Sequence, residues 1–265
     1  MYYPGDTLKY PASLDPVFNT LSYNDTSLYK YDSYIGLLDS KLRKDEKLKL
    51  IDFDSAFLNA VVRTDKDHRL KNRLLYRSLK VMVTSNNDSI RRSHLFNTYI
   101  PEEKDPVLAG KLSTLLALQN SLVKGMPAPE IEAISIAGKK MNLADFKGRY
   151  ILVDVWATWC GPCKTEVPFY ERYAEMYSGD KIAFVSLSVD QGRFVINWQY
   201  EAQYKSKRVV QLRSENPMEF MNKYGISEIP RFFLVDPEGK IAMISMPRPS
   251  DPLFEDYLKQ QVPGL

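Results

Sequence analysis

Cys160 and Cys163 are the two cysteines of this 265-residue chain, with Gly161 and Pro162 between them. Such a pair can do thiol chemistry. One sulfur attacks as a thiolate, and the other closes a disulfide within one helical turn, with little backbone movement. The approach, Ile151-Leu152-Val153-Asp154-Val155-Trp156, is an apolar run broken by one acid, and it reads as a strand buried on both faces. Beyond the pair, Val167, Tyr170, Ala174 and Tyr177 fall on one helical face. Cys160 therefore stands where a buried strand ends and a helix begins. Unpaired N–H groups and the helix dipole favour an anion there, so its thiol is expected to ionise in the range of about 3.5–7.5. Gly161 lets another backbone come close, and Pro162 supplies the φ that a first helical turn needs.

Two other uses of the pair are weighed. Half a zinc site needs two further ligands, and the chain offers only His68 and His94, far off in sequence. An inert structural staple is disfavoured because stabilisation grows with loop length, and this loop is minimal. In the exchange reading Cys160, nearer the helix end and more exposed, attacks, and Cys163, inside the helix, resolves. Asp154 is a carboxylate in an apolar strand, where burial raises its pKa. It is either a proton acceptor or a satisfied acid bonded to backbone. Trp156 and Trp159 shape and dry the site, and Lys164 favours the thiolate. Glu166 caps or charges the first turns, and Pro168 kinks the helix.

Around this motif the chain divides in two. Residues 1–124 carry a net charge of +4 and the remainder −1, too little on either side to argue for nucleic acid. No run of 18 apolar residues occurs, so no transmembrane helix is expected. Residues 1–30 read as an extended lead-in, and a short helix is expected from about Tyr31 to Arg43. Helical spacing recurs in Leu50, Phe53, Phe57, Ala60 and Val61, in Leu70, Leu74, Leu75, Leu79, Met82 and Val83, and from Ser89 to Tyr99. Asp105-Pro106 starts a helix that Gly125 stops. Lys66, Arg69, Lys71, Arg73, Arg77 and Lys80 make one helix basic on its outer face, which is read as solvated, or as a contact for an anionic surface. Met126-Pro-Ala-Pro129 reads as a hinge. Strands are expected at 131–136, 151–155, 182–189, 209–212, 231–235 and 240–246, with helices after the cysteines and at 194–204, 218–224 and 253–260; Asp236-Pro-Glu-Gly239 is a hairpin turn. The expected architecture is an all-α domain over 1–124, followed over 125–265 by a mixed sheet covered by helices on both faces.

Val153-Asp-Val-Trp-Ala-Thr-Trp-Cys-Gly-Pro-Cys-Lys resembles a thioredoxin active site. The longer Cys160-Gly-Pro-Cys163-Lys-Thr-Glu166-Val-Pro168, with Gly125-Met-Pro-Ala-Pro129 upstream and Gly225-Ile-Ser-Glu-Ile229-Pro230 downstream, resembles the TlpA/ResA branch of thiol-disulfide oxidoreductases across residues from about 125 to 262. The resemblance implies a thioredoxin-like fold and disulfide exchange through Cys160 and Cys163. In it Asp154 takes the proton of the resolving cysteine, and Pro230 is cis and faces the substrate. Trp159, Ile229, Gly161 and Pro162 line the substrate contact. No cofactor is implied beyond the redox-active disulfide. The implied partners are protein dithiols and disulfides together with an upstream membrane or soluble electron donor; the oligomeric state stays open. The Gly-Pro spacer and family habit point to a reductase. Met1-Tyr-Tyr-Pro-Gly-Asp has neither a basic start nor an apolar stretch. Because the family is exported, the chain is read as extracytoplasmic, in the periplasm or anchored facing it, with its leader removed. Two rival readings remain. One is a peroxiredoxin-like peroxidase, although Thr158 stands only two residues before Cys160. The other is a binding module with a vestigial redox site.

Overall fold

The computed structural model describes residues 15–45, 53–63, 68–85 and 87–265. Residues 1–14 of the lead-in, Leu50 and Lys66 lie outside them. The chain forms two compact units that divide between Ala117 and Leu118.

The first unit is helical: α1 (Asp15–Thr20), α2 (Asp32–Asp45), α3 (Phe53–Arg63), α4 (His68–Ser85), α5 (Ser89–Tyr99) and most of α6 (Pro106–Ser121). The spine is α4, whose Leu70, Leu74, Leu75 and Leu79 are fully buried against Leu38, Phe57 and Val61. Helix α1 falls inside the stretch expected to be extended. Asp15-Pro16 is a start signal of the same kind as Asp105-Pro106, and Phe18 gives the short helix a buried anchor. The signal at Asp105 operates as read, its carboxylate accepting the N–H groups of Val107 and Leu108 at 2.9 and 3.2 Å. The basic face of α4 is not simply solvated: Lys71 is paired with Glu102 at 2.8 Å. His68 and His94 are exposed.

The second unit carries a seven-stranded sheet in the order β2-β1-β5-β4-β3-β6-β7. Its strands are β1 (Ala133–Ser135), β2 (Lys140–Met141), β3 (Tyr150–Trp156), β4 (Ile182–Ser188), β5 (Val209–Ser214), β6 (Arg231–Val235) and β7 (Ile241–Met246). Helices α7 (Gly161–Tyr177), α8 (Phe194–Ala202), α9 (Pro217–Lys223) and α10 (Phe254–Gln261) complete it. Strand β3 lies between parallel β4 and antiparallel β6, and every residue from Ile151 to Trp156 is buried. The two faces of the sheet carry separate cores. Leu152 packs with Tyr170 and Tyr173 of α7 and with Phe254 and Leu258 of α10. Val153 and Val155 pack with Trp198 of α8 and Phe220 of α9. Leu122, just beyond α6, joins that second core.

The Gly125–Pro129 stretch, expected as a hinge, is bonded along β7. Gly125 N donates to Ile241 O, Ile241 N to Met126 O and Ala128 N to Gly239 O, at 2.8, 2.8 and 3.0 Å. The hairpin turn forms as read, with Gly239 at φ +82° and Asp236 Oδ1 accepting from the N–H groups of Glu238 and Lys240.

Gly225 opens the loop that leads to Pro230. Its φ is +58°, a region disfavoured for side-chain-bearing residues. A Cβ there would also lie 2.0 Å from Gln119 Nε2, and that amide donates to Gly225 O at 3.2 Å. Gly225→Ala should therefore lower unfolding free energy by about 1–3 kcal/mol. Denaturant unfolding measures this, and a variant as stable as wild type would show that the loop relaxes without cost.

Candidate active site

Cys160 is the N-cap of α7, with extended backbone at φ −88° and ψ 98°. The end of β3 and the Ala157–Trp159 turn deliver it there. Cys160 and Cys163 form a disulfide, and the Cys163 N–H points at Cys160 Sγ at 3.2 Å. The first sulfur thus occupies the place of a capping oxygen, facing one of the unpaired N–H groups of the helix start. Exposure separates the two cysteines little, at 5% for Cys160 and 2% for Cys163. Position does more, since Cys163 lies inside the first turn. Gly161 and Pro162 are exposed beside the sulfurs, and Trp159 is 56% exposed, whereas Trp156 is fully buried. Ile229 brings its carbonyl oxygen 3.8 Å from Cys160 Sγ, and the Ile229–Pro230 bond is cis. Antiparallel pairing of β6 with β3 aligns Val155 with Arg231, which carries the Ile229–Pro230 step to the cysteine end of the sheet.

Asp154 is buried in the middle of β3 and accepts a hydrogen bond from Ser186 Oγ at 3.3 Å, its register partner on β4. Burial pushes its carboxyl up from 3.8 to about 7. Nearby Lys205 and the Ser186 hydroxyl pull the other way, and Glu166 adds a smaller upward push. The acid can therefore hold or release a proton near neutrality.

One residue of the site, Asp190, was not singled out by its sequence position, and two others take roles different from those expected. Asp190, fully buried, accepts from Thr158 N at 2.9 Å, Thr158 Oγ1 at 2.9 Å and Ser188 Oγ at 2.8 Å. This carboxylate fixes the turn that carries Trp159 and Cys160. Parallel pairing holds the signal, because Trp156 is opposite Ser188 and the residues two places on from each must meet. Glu166 is neither cap nor exposed charge. It is buried, and its two oxygens accept from Ser250 N and Ser250 Oγ, each at 2.9 Å, tying α7 to the loop before α10. Lys164 is paired with Glu201 Oε1 at 2.7 Å rather than free to face the sulfurs.

A disulfide held across the first turn of a helix, at the end of a buried interior strand of such a sheet, defines a thioredoxin-like thiol-disulfide oxidoreductase. Residues 123–257, just over half of the chain, match the Redoxin family, and the chain belongs to it. It is 26% identical to thiol-disulfide oxidoreductase ResA of Bacillus cereus over 193 residues, which cover 73% of this chain and 99% of that one. Identity to ResA of Bacillus subtilis is 25% over 152 residues, 57% of this chain and 83% of the relative. Among solved structures, a thioredoxin-like protein from Bacteroides caccae matches in fold with a TM-score of 0.53 at 15% identity, covering 92% of this chain and 89% of that one. The protein is a ResA/TlpA-type oxidoreductase whose substrates are thiols and disulfides. No helix among the described residues is long and apolar enough to cross a membrane.

The raised carboxyl of Asp154 has a consequence for stability. The folded state binds this proton more tightly than the unfolded chain does. Its contribution is complete below pH 3.8, declines as pH rises to about 7, and is gone above that. Asp154→Asn should cancel the decline, leaving the oxidised variant more stable than wild type at pH 8 by about 2–4 kcal/mol and nearly equal to it near pH 4. Urea unfolding at the two pH values tests this. A stability difference that does not change with pH would mean that Asp154 is not a raised acid.

Proposed function

We propose that the protein acts as a reductase of protein disulfides, with Cys160 as nucleophile, Cys163 as resolving thiol and Asp154 as proton acceptor. The observation that carries the reading is the place of Cys160, at the N-cap of α7 with the Cys163 N–H aimed at its sulfur. In the reduced protein the Cys160 thiolate attacks one sulfur of a substrate disulfide. A mixed disulfide forms, and the substrate's other sulfur leaves as a thiolate. Cys163 then gives its proton to Asp154 and attacks Cys160 Sγ. The Cys160–Cys163 bond forms, the second substrate sulfur leaves, and the substrate has gained two electrons. A dithiol donor, membrane-bound or soluble, reduces the pair again. The backbone at Ile229 and cis-Pro230, with exposed Trp159, Gly161 and Pro162, offers the surface on which an extended substrate segment pairs. The Gly-Pro spacer supports the reducing direction, for which thioredoxin at about −270 mV is the reference. The reading includes an extracytoplasmic setting.

A peroxidase is disfavoured. Thr158 is engaged with Asp190, and the chain has no third cysteine to resolve a sulfenic acid.

Cys160→Ser should abolish dithiol-dependent reduction of insulin. Cys163→Ser should keep Cys160 reactive and accumulate mixed disulfides, seen by mass spectrometry. Faster alkylation of Cys163 than of Cys160 in the reduced protein at pH 6 would reverse the two roles.

The helical region has no assigned chemistry. In this reading it narrows or presents substrates, or mediates self-association. A chain beginning at Leu118 retains Leu122 and Gln119, which belong to the sheet unit, and should reduce a small disulfide at the wild-type rate while its preference among protein disulfides changes. Equal rates on every protein tried, with equal mass in solution, would remove both roles.

A further inference from the structure

Gln119 stands in the last turn of α6 and is 1% exposed. Leu118 and Leu122, its neighbours along the helix, pack in the core of the sheet unit. A primary amide buried there is costly unless it is hydrogen-bonded. This one is directed at the end of another helix. Nε2 donates to Gly225 O at 3.2 Å and to Tyr224 O at 3.4 Å. Both carbonyls lie just beyond α9, where a helix leaves its C=O groups unpaired.

The chain reverses at this point. Gly225 N donates to Asn222 O at 3.2 Å and Ile226 N to Met221 O at 2.8 Å, a glycine-closed helix end. A Cβ at Gly225 would lie 2.0 Å from Gln119 Nε2, so the missing side chain is what admits the amide. Tyr224 is held as well: its hydroxyl donates to Pro129 O at 2.6 Å, and its ring centroid lies 4.7 Å from that of Phe233 on β6. Only Ile226, Ser227 and Glu228 then separate the clamped carbonyl from Ile229. Among the described residues, Ser227 and Glu228 make no backbone–backbone hydrogen bond. Their position is set from the two ends of the loop, by β6 on one side and by buried Ile226 and the Gln119 contact on the other.

We propose that Gln119 is a positioning residue of the substrate surface, its amide fixing the loop that ends in Ile229 and Pro230 so that an extended peptide segment can pair there. This rests on the reading that substrate backbone pairs along Ile229 and Pro230. The substrate class concerned is a cysteine-bearing polypeptide presented as a strand, which needs partner groups at fixed spacing. A small disulfide presents no strand. It needs only access to Cys160, which α7 and the Thr158–Asp190 turn hold separately. Gln119 thereby separates peptide disulfides from small ones.

The test uses reduced full-length protein and two substrates that release the same coloured thiolate. One is a symmetrical aromatic disulfide. The other is an unstructured peptide whose single cysteine is joined to the same aromatic thiol. The Cys160 thiolate attacks one sulfur and the aromatic thiolate leaves; Cys163 then closes the pair and releases the remaining thiol. Single turnover with substrate in excess gives a half-saturating concentration and a limiting rate. Gln119→Met keeps the length of the side chain and removes the donor. It should raise half-saturation by the peptide roughly threefold to tenfold, with the limiting rate and the symmetrical disulfide near wild type. Gly225→Ala, whose methyl displaces the amide, should do the same, and the double variant should be no worse than the poorer single one. A merely structural role would lower the limiting rate on both substrates together, and that result would overturn the proposal. A peptide N-methylated beside its cysteine tests the underlying reading. If wild type takes it as well as the plain peptide, backbone pairing at Ile229 and Pro230 fails. If wild type rejects it but Gln119→Met keeps wild-type half-saturation by the plain peptide, Gln119 alone is overturned. Should Gln119→Met not fold, Gly225→Ala is read in its place, an unmoved half-saturation counting against the proposal.

Discussion

The site of the sheet unit is built around one unfavourable placement, a carboxyl buried within an interior strand of the sheet. Asp154 has Ser186 beside it on β4 and Phe232 opposite on β6, with Tyr170 donating to the neighbouring Leu152 carbonyl. Replacing it with an apolar residue of matching shape would relieve a burial cost of several kcal/mol. That cost is tolerable because the acid can hold a proton near neutrality and because one hydroxyl and one cation attend it. In the proposed exchange the same surroundings suit Asp154 to the resolving step: a fully hydrated aspartate would be too weak a base to deprotonate a thiol, and one with no compensating partner would stay protonated.

The two ends of α7 serve different purposes. At its start Cys160 takes the place of a capping group, and the disulfide closes over the first turn. Farther along, carboxylates on the helix hold distant loops: Glu166 takes Ser250, while Glu171 and Glu175 take Ser206. Asp190 does the equivalent for the turn before the helix, across the ends of β3 and β4. The reactive pair is thus set in a frame of short charge-assisted bonds, buried at Asp190 and part-buried at Glu166 and Glu171.

Much of this was legible in the chain. The apolar run 151–156, the cysteine spacing and the Asp236–Gly239 turn each contain their own local rule, and the elements formed close to the expected bounds. What escaped reading was non-local. Nothing near Asp190 in sequence names Thr158 as its partner; only the parallel register does. Glu166 was assigned to its own helix because local charge rules apply there, yet its partner lies 84 residues away. Lys205 carries no signal of its own in the sequence, and only the fold puts the ring of Trp156 beneath it. The lead-in was misread for a different reason: Asp15-Pro16 carried a start signal, and the surrounding tyrosines, prolines and asparagines outweighed it.

The serine–glutamate ties have an evolutionary reading. A loop fastened by one hydroxyl and one backbone N–H can lengthen or shorten on either side of that point without disturbing the helix it grips. Among descendants of this chain, the segments around Ser206 and Ser250 should drift freely in length and composition. The pairs Glu171–Ser206 and Glu166–Ser250 should be gained or lost together. Co-variation between residues far apart in sequence would then trace the support of the cysteine helix, even where overall similarity has faded.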